Sequence, residues 1–326
     1  KTCTGTIMLK AEVEQWLKQL HCDGISPGIH ELLYYRSKIN AFARHHKSLP
    51  RSSQTGPLLS KSRGRGMEFD EVRHYQPGDD IRSIDWRVTA RTGKAHTKLY
   101  REEKERPVFI WVDLPLTQFF GSQFIFKSVQ ACHLAAALAW QAQHKGDRIG
   151  GLVGNGWLHQ ELKPVARQKG VLRLCHALLE VHGDSFTRWK NKEKQKPNAL
   201  EENLKRLRQL VKPGSTIYVI SDFYGASENF LDGLRVLSQH NSVRCFSVYD
   251  PMEHELPEGY SSHPLAITDG QQQINVNLAN TQQRATYHQA ALKRWQNIQE
   301  AFRKRKLSLT SVSSALPLEQ QWTEVT

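Results

Sequence analysis

The sequence lacks the short motifs that most directly mark a catalytic centre. There is no GxxxxGK[ST] loop to cradle nucleotide phosphates, no HExxH zinc pair and no GxSxG nucleophile turn. These absences argue against a P-loop ATPase, a zincin and an α/β-hydrolase. No CxxC pair occurs among the five cysteines. Cys132, Cys175 and Cys245 sit among apolar neighbours, where a reduced thiol packs as a small hydrophobe. A disulfide framework and a zinc site are therefore not expected, and a reducing cytoplasm is. Long apolar runs are missing too. The purest, residues 134–140, falls far short of the roughly 18–20 residues that span a bilayer. No charged-then-apolar signal segment stands at the N-terminus, so neither secretion nor membrane spanning is expected. Acids are the scarcer charge: 32 Asp and Glu face 45 Lys and Arg, leaving +13. That surplus favours acidic partners such as nucleic acid, an anionic membrane or an acidic protein face.

What is present suits a folded chain. The 326 residues are 39% hydrophobic and 9% aromatic, enough for one large domain or two ordinary ones. Residues 8–21 and 27–47 read as helices, the second with Ser26 as N-cap and Pro27 at its first position. Residues 36–65 hold eight Lys or Arg and no acid, and their second half is rich in Ser, Gly and Pro. This is an exposed basic linker, either a plain solvated loop or a steering surface for an anionic partner. Within 67–106, extended pieces at 68–75 and 95–101 flank the turn run Gln76-Pro77-Gly78-Asp79-Asp80 and a second turn, Arg91-Thr92-Gly93-Lys94, giving a small β-rich element.

After Pro107, apolar strand-like runs at 108–113, 149–153, 217–222 and 243–250 alternate with amphipathic helices. One helix places Phe126, Val129, His133, Ala136, Ala137 and Trp140 on one face and stops at Gly146; Phe230, Leu234 and Leu237 mark another. A last helix, 279–306, is expected to bury Leu292, Trp295, Ile298 and Phe302. It ends in Arg303-Lys304-Arg305-Lys306, cations that suit the negative end of its dipole. The fold class is α/β, a mainly parallel sheet covered by helices on both faces. Gly150, Gly151, Gly154 and Gly156 lack dinucleotide spacing and are read as close packing and a turn before Trp157.

Ligands of open α/β sheets collect at the carboxyl ends of strands. Two predicted strands end there in acid, Asp113 and Asp222, with Thr117 and Ser122 after the first and Ser221 before the second. Such carboxylates and hydroxyls suit Mg²⁺, which takes oxygen ligands and keeps several waters. The plainer reading is that each Asp caps the helix that follows. In 76–87, Asp79, Asp80 and Asp85 alternate with Arg82 and Arg87. That pattern reads as a structural ion-pair and capping network anchored by Trp86. A sharper alternative sets Asp85 upstream of Glu102-Glu103-Lys104, an acid…Glu-x-Lys order found in some metal-dependent nucleases.

Residues 63–69 (RGRGMEF, with Arg65 and Glu68), 75–86 (YQPGDDIRSIDW) and 90–93 (ARTG), followed by the acids at 102–105, resemble the signature of the bacterial family called domain of unknown function 58. Phe120-Gly121-Ser122, Gly146-Asp147-Arg148-Ile149-Gly150 and Val219-Ile220-Ser221-Asp222 fit it as well, so the likeness runs from about Pro27 to the C-terminus. The resemblance implies a von Willebrand factor A-like domain. Its metal-ion-dependent adhesion site is Asp-x-Ser-x-Ser after the first strand, with a Thr and an Asp on later loops. Asp113 holds the first position, Pro115 replaces the first Ser, Thr117 stands at the second and Asp222 fits the last acid. No Thr between Leu158 and Lys169 is assignable, so the site is degenerate and any Mg²⁺ binding weak.

Many relatives carry two membrane helices ahead of the signature; this chain resembles the short soluble form. The resemblance further implies association with a MoxR-type AAA+ ATPase, and sometimes with membrane-anchored von Willebrand factor A proteins, in protein-complex maturation or envelope stress tolerance. The expected organisation is 1–66, helices and basic linker; 67–106, β-rich signature element; 107–326, von Willebrand factor A-like domain. The expected function is a non-enzymatic cytoplasmic adaptor. Its recognition end is the rim near Asp113 and Asp222, and the basic linker with 76–87 forms a second docking surface. The alternative is a nucleic-acid-binding protein or metal-dependent nuclease, although few aromatic platforms accompany the basic stretch, so only nonspecific nucleic-acid binding is expected.

Overall fold

The computed structural model describes residues 10–45, 67–76, 79–102, 106–257, 265–268 and 273–325. They fall into two compact units, one drawn from Lys1–Lys47 with Arg106–Thr326, the other from Ser48–Glu105. Helices α1 (Lys10–Leu20) and α2 (Ile29–His45) come first. The smaller unit contains β1 (Met67–His74), a 3-10 turn at Ile81–Ser83, α3 (Trp86–Thr92) and β2 (His96–Glu102), with β1 and β2 antiparallel. Next come β3 (Pro107–Asp113), α4 (Lys127–His144), β4 (Arg148–Gly154), β5 (His159–Val165), α5 (Arg167–Lys190) and α6 (Ala199–Leu210). They are followed by β6 (Thr216–Ser221), α7 (Glu228–Ser238), β7 (Ser242–Tyr249) and a short hairpin, β8 (Leu265–Thr268) with β9 (Gln273–Val276). The last elements are α8 (Thr281–Lys304), β10 (Ser308–Ser313) and α9 (Leu318–Val325). No helix among the described residues is long and apolar enough to cross a membrane.

The six-stranded sheet runs β5-β4-β3-β6-β7-β10, parallel except where β5 pairs antiparallel with β4. Numbered by their order along the chain, these strands read 3-2-1-4-5-6, the doubly wound arrangement. Its switch point, where the winding changes direction, lies between β3 and β6. Strand β3 shows why a central parallel strand is apolar throughout. Val108, Ile110 and Val112 enter one core with α2, α4, α5 and α9, while Phe109 and Trp111 enter the opposite core with α6, α7 and α8. The expected strands at 108–113, 149–153, 217–222 and 243–250 are all present. Strands β5 and β10 escape a pattern search because they are edges: β5 buries only Leu162 and tolerates Pro164. A Cβ on Gly151 would lie 2.5 Å from the Ile110 carbonyl, and Gly156 has φ +95°, so these glycines serve close approach and a turn.

Helix α4 is buried from Lys127 to Ala142 rather than along one face. Its alanines at 131, 135, 136, 137, 139 and 142 let the sheet, α2, α5 and α9 approach from several sides. Helix α2 is pinned to it by polar contacts in a dry setting. Glu31 Oε2 lies 2.9 Å from His133 Nε2, and Tyr35 Oη lies 3.1 Å from His133 Nδ1. Trp140 Nε1 donates to the Leu32 carbonyl at 2.9 Å.

The N-terminal helices are therefore part of the α/β unit and not of a separate 1–66 segment, because α2 completes the core over α4. Residues 46–66, most of the basic linker, lie outside the described residues. Helix α2 starts at Ile29, two residues beyond Pro27, and Glu31 Oε1 rather than Ser26 closes its first turn by accepting Gly28 N–H at 3.0 Å. In α8 only the C-terminal part meets the core. Phe302 is buried, Trp295 and Ile298 are half-buried, and Leu292 is exposed. At its end Arg305 donates to the Ala301 carbonyl at 3.2 Å and pairs with Asp232 and Glu228, the helix-end role expected of that cationic run.

The α2–α4 contact gives a first prediction. Glu31→Ala strips a buried His133 nitrogen of its partner, at a cost of about 1–3 kcal/mol. Urea unfolding should show the corresponding fall in midpoint. An unchanged midpoint would mean that apolar contact alone holds α2.

Candidate functional site

The two acids at the switch point converge. Asp113 is the last residue of β3, Asp222 follows β6, and Thr117 lies in the loop after β3. Thr117 Oγ1 donates to Asp222 Oδ2 at 2.7 Å, and Asp222 Oδ1 accepts Tyr224 N–H at 3.1 Å. Ser221 Oγ donates to Asp113 Oδ2 at 2.9 Å and accepts Phe223 N–H at 3.0 Å. Asp113 is 2% exposed. Burial, and then the charge of Asp222, push its carboxyl up to about 8 against the opposing hydrogen bond from Ser221. Neither acid caps a long helix: Ser227 caps α7, and Phe126, ahead of α4, makes no side-chain cap.

A third participant has no counterpart in the strand-end reading. Lys127, the first residue of α4, reaches Glu253 Oε1 at 2.7 Å and Asp222 Oδ2 at 3.3 Å, with its side chain 1% exposed. The positive end of a helix dipole disfavours a cation there. Burial also works against the ammonium, yet Glu253 and Asp222 outweigh it and hold its pKa above the usual lysine value. The sequence signal was a lone Lys opening an apolar helix. Glu253 ends a 3-10 turn at Pro251–Glu253 and forms a capping box with Asp250.

Ser122 belongs to a neighbouring ring. Its hydroxyl donates to Asp250 Oδ1 at 2.5 Å and its N–H to Oδ2 at 2.9 Å, while Ser314 Oγ donates to Oδ2 at 2.8 Å. Asp250 is fully buried just after β7, so a third strand delivers an acid as β3 and β6 do.

The donor set does not suit Mg²⁺. Pro115 supplies no hydroxyl, Asp222 already holds an ammonium and the Thr117 hydroxyl, and the Asp113 carboxyl favours its proton. Among the described residues, no group of three or more His, Cys, Asp or Glu side chains is placed to hold a metal ion. The expected assignment of Asp113, Thr117 and Asp222 to a metal is corrected to this extent: Thr117 and Lys127 both bond to Asp222, while Asp113 bonds to Ser221.

In the smaller unit the acids do local work. Asp79 accepts from Arg73 Nη2 at 2.7 Å and from Gln76 N–H at 2.9 Å, and the Arg73 hydrogen bond holds its carboxyl below the usual range. Asp80 accepts Arg82 N–H at 3.0 Å, capping the 3-10 turn. Asp85 caps α3, accepting Arg87 N–H at 3.0 Å and Val88 N–H at 3.2 Å. This capping role is the structural one expected of Asp85. Glu68 pairs across from Arg101 in the β1–β2 ladder. Arg65, 103–105 and the side chains of Glu68 and Glu102 lie outside the described residues, as does the proposed acid…Glu-x-Lys cluster. Trp86 is not the expected anchor. It is 66% exposed and Ile81 63%, because the seven-residue α3 buries no side chain and offers no core to enter.

Two predictions follow from these contacts. Asp85→Ala loses the α3 cap at about 1 kcal/mol, whereas Trp86→Ala changes stability by less than about 0.5 kcal/mol; chemical denaturation of both variants checks the contrast. Asp113 keeps its proton in the fold up to about pH 8, while the unfolded chain releases it near the ordinary value of about 4. The folded state binds more protons between those limits, so stability falls as pH rises through them. Thermal melts from acid to mild alkali should show Asp113→Asn gaining on the parent across that window. A gap independent of pH would show that Asp113 ionises normally.

Curated relatives share the chain's sequence without explaining it. Uncharacterized proteins of Mycobacterium tuberculosis and Mycobacterium bovis are each 30% identical over 207 residues, 62% of this chain and 61% of theirs. The chain thus spans about three fifths of the length of the relatives it matches. Among solved structures, the conserved hypothetical protein BatB of Bacteroides thetaiotaomicron superposes with TM-score 0.42 at 15% identity, covering 67% of this chain and 95% of that one. An aerotolerance-related membrane protein of Bacteroides fragilis, carrying multiple mutations to serines, gives 0.33 at 14%, covering 61% and 99%. Both likenesses are too loose to add to the strand order described above. A family model described as "Protein of unknown function DUF58" matches residues 71–297, from within β1 of the smaller unit through the rim to most of α8, and the chain belongs to that family.

Proposed function

We propose that the protein is a non-enzymatic adaptor that works in the cytoplasm and docks a MoxR-type AAA+ ATPase through the surface around Ile81 and Trp86. The observation that carries this reading is the exposure of those two large apolar side chains on one short segment, with Arg82, Arg87 and Arg91 exposed beside them. Exposed aromatics rimmed by arginine are the composition of binding hot spots, and the cations suit an acidic partner face. The family resemblance supplies the partner class. It also supplies the broader role in protein-complex maturation or envelope stress tolerance, with membrane-anchored von Willebrand factor A proteins as further partners.

The rim supports the non-enzymatic part of the reading. The carboxylates that accept the Thr117 and Ser221 hydroxyls are themselves engaged, Asp222 by the Lys127 ammonium and Asp113 by the proton it favours, so neither is a free base for those hydroxyls. Buried Cys132 and Cys245 have thiols pushed well up by burial, away from the reactive thiolate.

Interferometry with a purified MoxR-type ATPase of the same organism tests the docking surface. Binding should weaken at least about tenfold in an Ile81→Ser, Trp86→Ala variant that melts like the parent. Equal affinity in that variant would place the interface elsewhere. Nucleic acid should bind without sequence preference and be released between about 50 and 200 mM salt. Selective binding that survives physiological salt would favour the nucleic-acid alternative instead.

A further inference from the structure

We propose that the cation of the sheet rim is built into the chain: the Lys127 ammonium takes the role a divalent ion would play there, and the rim accepts such an ion only once Lys127 is removed. The inference starts from how poorly this position suits a lysine on local grounds. Long cationic side chains ordinarily lay their stems on apolar surface and keep their charge in water. The Lys127 side chain is 1% exposed and starts a helix whose dipole opposes it. The rest of α4 down to Ala142 is buried as well, so a neutral side chain would fit this position better. The position calls for positive charge only because of what it meets.

It meets two carboxylates from separate loops. Asp222 after β6 and Glu253 after β7 are close enough to share one ammonium. Both are fixed independently of it, Asp222 by Thr117 Oγ1 and Tyr224 N–H, and Glu253 by its capping box with Asp250. Two preset carboxylates with a hydroxyl alongside are oxygen donors of the kind Mg²⁺ or Mn²⁺ takes. While the ammonium is there, a second cation meets like-charge repulsion, and Pro115 offers no hydroxyl in compensation. Lys127→Ala leaves Asp222 and Glu253 without that cation, with the Thr117 hydroxyl still bonded to Asp222 and Asp113 close enough to feel the Asp222 charge. It also vacates the space of a long side chain, room for an ion that retains part of its water shell.

Thermal melts of the parent, Lys127→Ala and Lys127→Ala with Asp222→Asn, in MgCl₂ or MnCl₂ at matched ionic strength, test this. The parent's melting temperature should not respond to either ion. Lys127→Ala should melt at least about 6 °C lower without metal and recover part of the loss with Mg²⁺ or Mn²⁺. The double variant should recover nothing. A parent that is stabilised by either ion, and loses that response in Asp222→Asn, overturns the proposal. So does a Lys127→Ala protein that melts like the parent, or one that melts lower and ignores both ions. If Lys127→Ala does not fold, Lys127→Met takes its place in the same comparison, and a parent metal response that Asp222→Asn loses still overturns the proposal.

Discussion

Three adjacent parallel strands, β3, β6 and β7, each deliver an aspartate to the same end of the sheet, and the rest of the rim follows from having to accommodate three acids, two buried and one half-buried. Each is handled differently. Asp113 favours its proton, Asp222 shares an ammonium with Glu253, and Asp250 collects two serine hydroxyls and backbone N–H groups. A carboxylate taken from water into protein is costly unless it is neutralised, paired or fully hydrogen-bonded. The three solutions lie side by side, and between them they fix the loops after β3, β6 and β7.

Helix α4 links this charge balance to the core. Its first residue carries the ammonium, and Gln130 donates from the next turn to the carbonyls of Ser313, the last residue of β10, and Leu316 just after it. His133 meets Glu31 of α2, and Trp140 meets the Leu32 carbonyl. One helix thus ties together the rim, the far edge of the sheet and the N-terminal helices. That is why its surface carries polar groups at intervals although nearly every residue is buried.

Sequence patterns reveal most where burial is symmetrical. The central strands read as continuous apolar runs because both faces are covered, and the strand-end rule located Asp113 and Asp222 without coordinates. The same rule applied to the run ending at Asp250 points to the third acid. Edge strands such as β10, with the sequence SLTSVS, leave little trace, because solvent tolerates polar side chains there. Lys127 was hidden for a different reason. Its partner Glu253 is 126 residues away, and no local pattern pairs them. Trp86 shows the opposite error: a large apolar residue beside capped acids was given a core that a seven-residue helix does not provide.

The order of the chain has a consequence for synthesis. Helix α2 is made before the smaller unit, yet the helix it must lie against follows that unit. Tyr35 and His133, which join the two, are 98 residues apart. At ribosomal rates of about 5–20 residues per second, the apolar face of α2 waits on the order of 5–20 s for α4 to emerge. During that interval the nascent chain exposes Leu32, Tyr35 and Ile39 beside a strongly basic stretch, which makes this the period when a holdase would matter most to the protein's survival.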